Sequence, residues 1–181
     1  AGAGAVGSLA GQLAKLKGAR VIGVAGTLEK TRWLTDELGF DAALSYKVGR
    51  EQLIADLRAA APNGVDGYFD NTGGVTTEAV LQVANNNMRL ALCGVISGYN
   101  DGQLGLASYD MLLHRRVKLQ GFICTDYIEQ LPAVQAKLAA LVVEGKIKYK
   151  EDIQEGIENY VPALRRLFDG TNTGKLILKL S

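Results

Sequence analysis

The chain has 181 residues, and its composition, 48% hydrophobic and 22% charged, is that of a globular domain with enough apolar material for one core. Its formal net charge is +1 and its basic residues are scattered, so electrostatics gives no reason to expect a nucleic acid or an acidic membrane surface as a partner. No apolar run reaches the roughly 18 residues of a membrane span, and no signal-peptide pattern is present. We therefore expect a cytoplasmic protein.

Residues 2–7 read Gly-Ala-Gly-Ala-Val-Gly, which is the G-x-G-x-x-G pattern of a dinucleotide-binding loop. In such a loop the first glycine permits a tight turn, the second lets the backbone approach a pyrophosphate, and the third lets the next helix pack closely. A turn of small residues is the alternative, because 22 glycines produce such spacings by chance. The context favours the dinucleotide: a helix is predicted over residues 8–17, ended by Gly18, and a strand over residues 20–25.

Helical and strand-like segments alternate along the rest of the chain. Helices are predicted over residues 27–38, 51–60, 76–83, 128–144 and 158–168, and strands over residues 42–46, 65–70, 88–93, 117–124 and 175–180. This order predicts an α/β protein with a doubly wound parallel sheet, the Rossmann fold. A strand feeds the glycine loop in that fold, so we expect the sheet of this chain to lack its first strand.

The residues that bind metals or form disulfides are few. Cys93 and Cys124 both lie in apolar, strand-like sequence, which favours reduced and buried thiols over a disulfide or a metal site. His114 is the single histidine, so a zinc site within the chain is not expected. It precedes two arginines, and we expect it at an exposed loop or helix end without a functional role.

The sequence after the second predicted strand indicates which dinucleotide is bound. NAD-specific loops carry an acidic residue about 20 residues beyond the glycines. Residues 25–27 read Ala-Gly-Thr instead, and Lys30 and Arg32 follow, which suits a ribose 2′-phosphate. The alternative for Lys30 is a solvated helix residue.

Three further side chains lie near predicted strand ends, where open α/β sheets bind ligands. The phenol of Tyr99 there could donate a proton or polarise a carbonyl group, and the alternative is a loop tyrosine that packs its ring. Asn71 has the alternative of a turn residue, and Tyr46 that of a strand-terminal aromatic.

Taken together, residues 1–8, 14–18, 26–30, 70–74 and 170–175 resemble the zinc-independent medium-chain dehydrogenase/reductases, in the branch of prostaglandin, leukotriene and alkenal double-bond reductases. The resemblance covers nearly the whole chain. It implies that residues 1–181 are the NADP-binding Rossmann domain, and that a GroES-like substrate domain, normally upstream, is absent from this chain.

The resemblance also implies the cofactor, NADP(H), and its contacts. The pyrophosphate would lie on residues 4–7 and the 2′-phosphate on Lys30 and Tyr46. The complete set of cofactor-binding residues that it implies is Gly4, Ala5, Val6, Gly7, Lys30, Tyr46, Asn71, Cys93, Gly94, Ser97, Tyr99, Phe122, Ile123, Cys124 and Asn172.

The reaction implied by the resemblance is the reduction of the carbon–carbon double bond of α,β-unsaturated ketones or aldehydes, without a metal. NADPH gives a hydride to the β-carbon, hydroxyl groups stabilise the enolate oxygen, and Tyr99 is the catalytic residue near the substrate carbonyl. Relatives pair the outermost strand, here residues 117–123, into a homodimer. A quinone reductase and an NADPH-binding protein without turnover remain as alternatives.

Overall fold

The computed structural model describes residues 1–99 and 105–180. The chain divides into two compact units, one made of Ala1–Ala43 with the segment from Ile147 onward, the other made of Leu44–Lys146. Within the described ranges, every helix is too short or too polar to cross a membrane.

Helices and strands alternate through both units. The α-helices are α1 (Ala5–Leu16), α2 (Leu28–Arg32), α3 (Arg50–Ala60), α4 (Gly74–Gln82), α5 (Tyr109–His114), α6 (Leu131–Val143) and α7 (Tyr160–Phe168). The strands are β1 (Ile22–Ala25), β2 (Ala42–Ser45), β3 (Val65–Asp70), β4 (Ala84–Leu92), β5 (Lys118–Gly121), β6 (Glu151–Glu155) and β7 (Lys175–Lys179). Helix α2 continues as a π-helical turn over Trp33–Glu37. Short 3₁₀ segments cover Tyr46–Val48, Ile96–Gly98, Cys124–Gln130 and Ile157–Asn159.

The strands form parallel sheets in the order β3-β4-β5 and in the pair β6-β7, while β1 pairs with β2. A helix connects each parallel neighbour to the next: α4 between β3 and β4, α5 between β4 and β5, and α7 between β6 and β7. Parallel strands need such crossover connections, so these repeats are βαβ units. The predicted parallel α/β class is confirmed.

The first unit has a core built around Phe40, which is buried with Trp33, Leu34 and Leu38. Two glycines make room for its ring, because a Cβ on Gly11 or Gly23 would meet it. In the second unit the buried side chains come from α3, α4 and β4, and Leu53, Leu81, Met88 and Leu90 are almost fully buried. Each such side chain contributes about 1.5–3 kcal/mol to stability through burial.

Some predicted elements differ from those of the structure. Strand β6 was not predicted because its sequence, Glu-Asp-Ile-Gln-Glu, is polar at four of five positions. Helix α5 was not predicted because it has six residues and no clear apolar period. The strand expected over residues 117–124 ends at Gly121, and the helix expected over residues 128–144 begins as a 3₁₀ segment.

Candidate functional site

The three glycines of the loop before α1 have different surroundings. Gly2 donates its N–H to the carbonyl oxygen of Val24 at 2.8 Å, and a Cβ on Gly2 would lie 3.0 Å from that oxygen. A Cβ on Gly7 would collide with the carbonyl oxygen of Ala1, which allows the helix start to pack on the loop. A Cβ on Gly4 would make only ordinary contacts with Ala1, at 3.5 and 3.9 Å. Packing within the protein therefore explains the glycines at positions 2 and 7, but it does not require a glycine at position 4.

The start of α1 is suited to an anion. Gly4 is its N-cap and makes no side-chain capping hydrogen bond, and the first turn contains no acidic residue. The first N–H groups of a helix have no acceptor within it, and they lie at the positive end of the helix dipole. The N–H of Gly4 donates to the carbonyl oxygen of Ala1 at 3.2 Å, so the N–H groups of residues 5–7 are the backbone donors that this turn offers to a phosphate group.

A second segment of the same unit, residues 170–174, lies beside this loop. Gly174 donates its N–H to the carbonyl oxygen of Ala3 at 2.9 Å and forms an isolated parallel bridge with Gly4. Gly174 has φ +72°, and a Cβ there would collide with the carbonyl oxygen of Lys150. The side-chain amide of Asn172 donates to the carbonyl oxygen of Gly174 at 3.2 Å. Asn172, predicted from the resemblance, thus belongs to a segment that pairs with the glycine loop.

Lys30 is buried, with 9% of its surface exposed, so the alternative of a solvated helix residue is wrong. Its N–H donates to Oγ1 of Thr27, the N-cap of α2, at 3.3 Å. Its ammonium donates to the carbonyl oxygen of Gly170 at 2.6 Å, just beyond the end of α7. Arg32, by contrast, is exposed on the same helix and lines a cavity of about 310 Å³ with Trp33. Lys30 is therefore bonded to Gly170, the first residue of the segment 170–174, whose other end pairs with the glycine loop.

In the second unit, the carboxylate of Asp70 organises the end of β3. Asp70 is 1% exposed, and its Oδ1 accepts hydrogen bonds from the Tyr68 hydroxyl at 3.0 Å and from the Thr72 and Gly73 N–H groups at 2.9 Å. Its Oδ2 accepts from the Thr77 hydroxyl at 2.5 Å. Burial, with the charge of Asp70, raises the pKa of Tyr68 far above its ordinary value, so the phenol stays protonated. The turn after β3 is thus fixed by a carboxylate whose role the sequence did not reveal.

That turn is joined to the segment after β4. The carbonyl oxygen of Thr72 accepts from both the N–H and the hydroxyl of Ser97, at 3.0 and 2.6 Å. The N–H of Cys93 donates to the carbonyl oxygen of Asp70 at 2.7 Å. A Cβ on Gly94 would lie 2.6 Å from Oδ1 of Asn71, so this glycine lets the amide side chain pack directly over it. The structure therefore brings four predicted residues together at the carboxyl ends of β3 and β4: Asn71, Cys93, Gly94 and Ser97.

The other predicted residues of this unit are less enclosed. Tyr99 is 61% exposed and follows the 3₁₀ turn over Ile96–Gly98. The next residues, 100–104, lie outside the described ranges. Phe122 donates its N–H to the Leu92 carbonyl oxygen at 3.2 Å, and its ring centroid lies 6.3 Å from that of Phe69. Ile123 is exposed and Tyr46, at the end of β2, is partly exposed.

The expectation of two buried thiols is wrong for Cys124. Cys93 is partly buried, whereas Cys124 is exposed, because β5 ends at Gly121 and Cys124 begins a 3₁₀ segment instead of continuing the strand. Both thiols are free, as expected. Burial, and then the neighbouring Cys124 thiol, raises the pKa of Cys93. Among the described residues no group of three or more His, Cys, Asp or Glu side chains could hold a metal ion. His114 is exposed at the end of α5, as predicted.

Two other buried polar side chains were not predicted from the sequence. The carboxylate of Glu78 accepts from the N–H groups of Ala107 and Ser108 at 2.7 and 2.9 Å, and from the Ser108 hydroxyl at 2.5 Å. The amide of Gln12 bonds both backbone groups of Lys148, each at 2.8 Å. Each therefore fixes a segment distant in sequence, which no local pattern in the sequence indicates.

Known proteins of one family are similar to this chain. Residues 5–140 match the family of zinc-binding dehydrogenases. The chain is 42% identical to rabbit (Oryctolagus cuniculus) prostaglandin reductase 1 over 178 residues, covering 97% of this chain and 50% of that protein. It is 38% identical to the NADPH-dependent curcumin reductase of Escherichia coli over 188 residues, covering 100% of this chain and 54% of that protein.

A solved structure is similar over the same extent. The crystal structure of CurA from Vibrio vulnificus in complex with NADPH has a TM-score of 0.92 and 39% identity, covering 100% of this chain and 55% of that chain. The chain thus spans about half the length of the relatives it matches. It belongs to the zinc-binding dehydrogenase family, the medium-chain dehydrogenase/reductases, in the branch that contains the prostaglandin, alkenal and curcumin reductases.

Proposed function

We propose that this chain is the NADPH-binding part of an oxidoreductase that reduces the carbon–carbon double bond of α,β-unsaturated ketones or aldehydes. The proposal is carried by three features that occur together in the first unit: the glycine loop, a start of α1 that contains no acidic residue, and the buried Lys30. Lys30 is bonded to residues 170–174, the segment that pairs with the glycine loop. The relatives support both parts. NADPH or NADP is named for several of them, and the named substrates include a prostaglandin, an alkenal, pulegone and curcumin.

The cofactor's phosphates would be held by the first unit. The pyrophosphate lies on residues 4–7 and accepts from the N–H groups at the start of α1, as anions do at helix starts elsewhere. Lys30 binds the ribose 2′-phosphate, because a buried ammonium keeps its charge only with anionic or strongly polar partners. From the resemblance alone, we also assign Tyr46 to the 2′-phosphate. On the same ground we assign Asn172 and the predicted residues after β3, β4 and β5 to the remainder of the cofactor.

When bound, NADPH supplies the hydride that the β-carbon of the substrate receives. Tyr99 donates a hydrogen bond from its phenol to the substrate's carbonyl oxygen and stabilises the negative charge of the enolate that forms there. A proton then reaches the α-carbon and completes the reduction. The exposure of Tyr99 leaves its hydroxyl accessible to a substrate. No step of this scheme uses a metal, and we propose zinc-independent catalysis.

Since the chain spans about half of its relatives, catalysis is proposed for a protein in which a GroES-like substrate domain, and then the first strand of the sheet, precede the glycine loop. We propose a cytoplasmic homodimer. β5 pairs only with β4 among the described strands and its residues are exposed, so a second copy could extend the sheet there.

The experiment that tests this function has two parts. Titration of the chain with NADPH tests cofactor binding, and no saturable binding would contradict the proposal. Steady-state kinetics of the protein with both domains then compares a simple enone with a quinone. A higher kcat/KM for the enone is expected. A quinone preference favours the quinone reductase, and binding without turnover of either favours a non-catalytic NADPH-binding protein.

A further inference from the structure

We infer that Asp152 and Arg166 are positioning residues of the cofactor site, which hold residues 170–174 against the glycine loop. Neither residue belongs to the loop or to the predicted cofactor contacts. The inference rests on the proposed function, in that it assumes that NADPH binds this chain at the glycine loop.

The two side chains form a two-pronged ion pair between β6 and α7. The Arg166 guanidinium donates to Asp152 Oδ1 at 2.9 Å and to Oδ2 at 2.6 Å. The Asp152 side chain is 17% exposed and that of Arg166 31%. Such bidentate pairs fix orientation as well as distance, and partial burial shields this one from solvent more than an ordinary surface pair.

Both residues of the pair also bind the backbone of the segment. Oδ2 of Asp152 lies 3.4 Å from the N–H of Thr173, a long hydrogen bond, and the carbonyl oxygen of Arg166 accepts from the N–H of Thr171 at 3.1 Å. Thr173 directly precedes Gly174, the residue that bridges to Gly4. With the Lys30 contact to Gly170, the segment is attached at four points in sequence order: to α2, to α7, to the ion pair, and to the glycine loop.

The consequence for the cofactor follows from geometry. Asn172 lies between Thr171, which the Arg166 carbonyl oxygen holds, and Thr173, which the Asp152 carboxylate holds. Its amide is bonded within the segment, to the Gly174 carbonyl oxygen. Loss of the pair releases Thr173 and loosens the orientation of the segment against residues 4–7, while the contacts of Gly170, Thr171 and Gly174 remain. A cofactor bound to both the segment and residues 4–7 would lose well-aligned contacts, because hydrogen bonds weaken steeply with misalignment.

A matched control exists in the same unit. Asp41 also accepts from a cation and a backbone N–H, with Lys15 Nζ at 2.9 Å and the Val21 N–H at 2.7 Å. Its side chain is 25% exposed, close to that of Asp152. Asp41, however, joins α1 to the residues before β1 through Lys15 and Val21, away from the Asp152 contacts with residues 170–174. Asp41→Asn thus perturbs a similar pair at a different place.

The test measures NADPH affinity for the chain by quenching of Trp33, its single tryptophan. Asp152→Asn is expected to weaken NADPH binding by about two- to tenfold, which corresponds to one neutral hydrogen bond, and Asp41→Asn to leave it unchanged. Amide hydrogen exchange gives a second readout: Asp152→Asn accelerates exchange over residues 170–175, whereas Asp41→Asn accelerates it near residue 21. Arg166→Lys, which keeps the charge without the fork, is measured in case Asp152→Asn does not fold.

The outcomes separate the two claims. Failure of the unmodified chain to bind NADPH contradicts the proposed function. If the unmodified chain binds NADPH and Asp152→Asn, Arg166→Lys and Asp41→Asn all bind it with the same affinity as the unmodified chain, the positioning role is contradicted and the proposed function is not. Equal weakening by the Asp152 and Asp41 variants also contradicts the positioning role, since it would reflect a general loss of stability.

Discussion

Replacement of Lys30 by methionine tests the specificity for NADPH over NADH. Methionine keeps the apolar length of the side chain in this buried position and removes only the ammonium. A charge-assisted contact to a phosphate contributes about 1.5–3 kcal/mol, and each 1.4 kcal/mol changes an affinity about tenfold. We therefore expect Lys30→Met to weaken NADPH binding by about 10- to 150-fold.

The structure adds a second effect that the sequence did not indicate. The Lys30 ammonium donates to the Gly170 carbonyl oxygen at 2.6 Å, so the substitution also removes a hydrogen bond that holds residues 170–174. That loss affects the folded protein whichever cofactor binds. It is expected to lower the affinities for NADPH and NADH by a similar factor, so the ratio of the two affinities isolates the contact with the 2′-phosphate.

Calorimetric titration of both cofactors into three proteins measures this ratio: the unmodified chain, Lys30→Met and Arg32→Met. Arg32 is the control because it lies exposed on the same helix, two residues further along. The ratio of NADPH to NADH affinity is expected to fall strongly only for Lys30→Met. Equal losses for both cofactors would refute the assignment and leave Lys30 as a residue that only supports residues 170–174.

The other predictions concern the loop, the reaction and acid stability. Gly4→Ala is expected to leave the free energy of unfolding in urea unchanged and to weaken NADPH binding. Gly7→Ala, whose Cβ would meet a carbonyl oxygen, is expected to lower both the free energy of unfolding and the affinity for NADPH. Equal losses of stability in the two variants would contradict this. Tyr99→Phe in the two-domain protein is expected to lower enone turnover by about 10- to 100-fold, and unchanged kcat and kcat/KM would contradict its role. Burial acts to raise the pKa of Asp152, but hydrogen bonds from Arg166 and a backbone N–H outweigh it and hold the pKa below the ordinary value. Because the folded pKa lies below the unfolded one, the stabilisation by Asp152 is present above about pH 4 and is lost as the pH falls through the folded pKa. Urea unfolding at several pH values should therefore show that Asp152→Asn lowers the free energy of unfolding less in acid than at neutral pH.

The sequence predicted those parts of the fold and the site whose causes are local. Strand β3 was predicted residue for residue, because a turn sequence and an apolar run define it. The glycine loop was recognised because its three glycines and the following helix are adjacent in sequence. Polar strand β6 was missed because its stability comes from pairing with β7 and not from its own composition.

Contacts between residues distant in sequence were beyond prediction. Lys30 and Gly170 are separated by 140 positions, and nothing near either one in the sequence indicates the other. The carboxylate of Glu78 likewise holds the N–H groups of Ala107 and Ser108, which are 29 and 30 positions away. The exposure of Cys124 depends on where β5 stops, which an apolar run does not specify.

The central claim is that NADPH binds this chain with its phosphates on residues 4–7 and beside residues 170–174. Amide chemical-shift mapping of the ¹⁵N-labelled chain during titration with NADPH tests it most directly. We expect saturable shifts that are largest for the amides of residues 4–7, with further shifts at Lys30 and residues 170–174. Binding at this place is contradicted if saturating NADPH leaves these amides unmoved, or if the shifts concentrate instead around the cavity at Trp33 and Asp36.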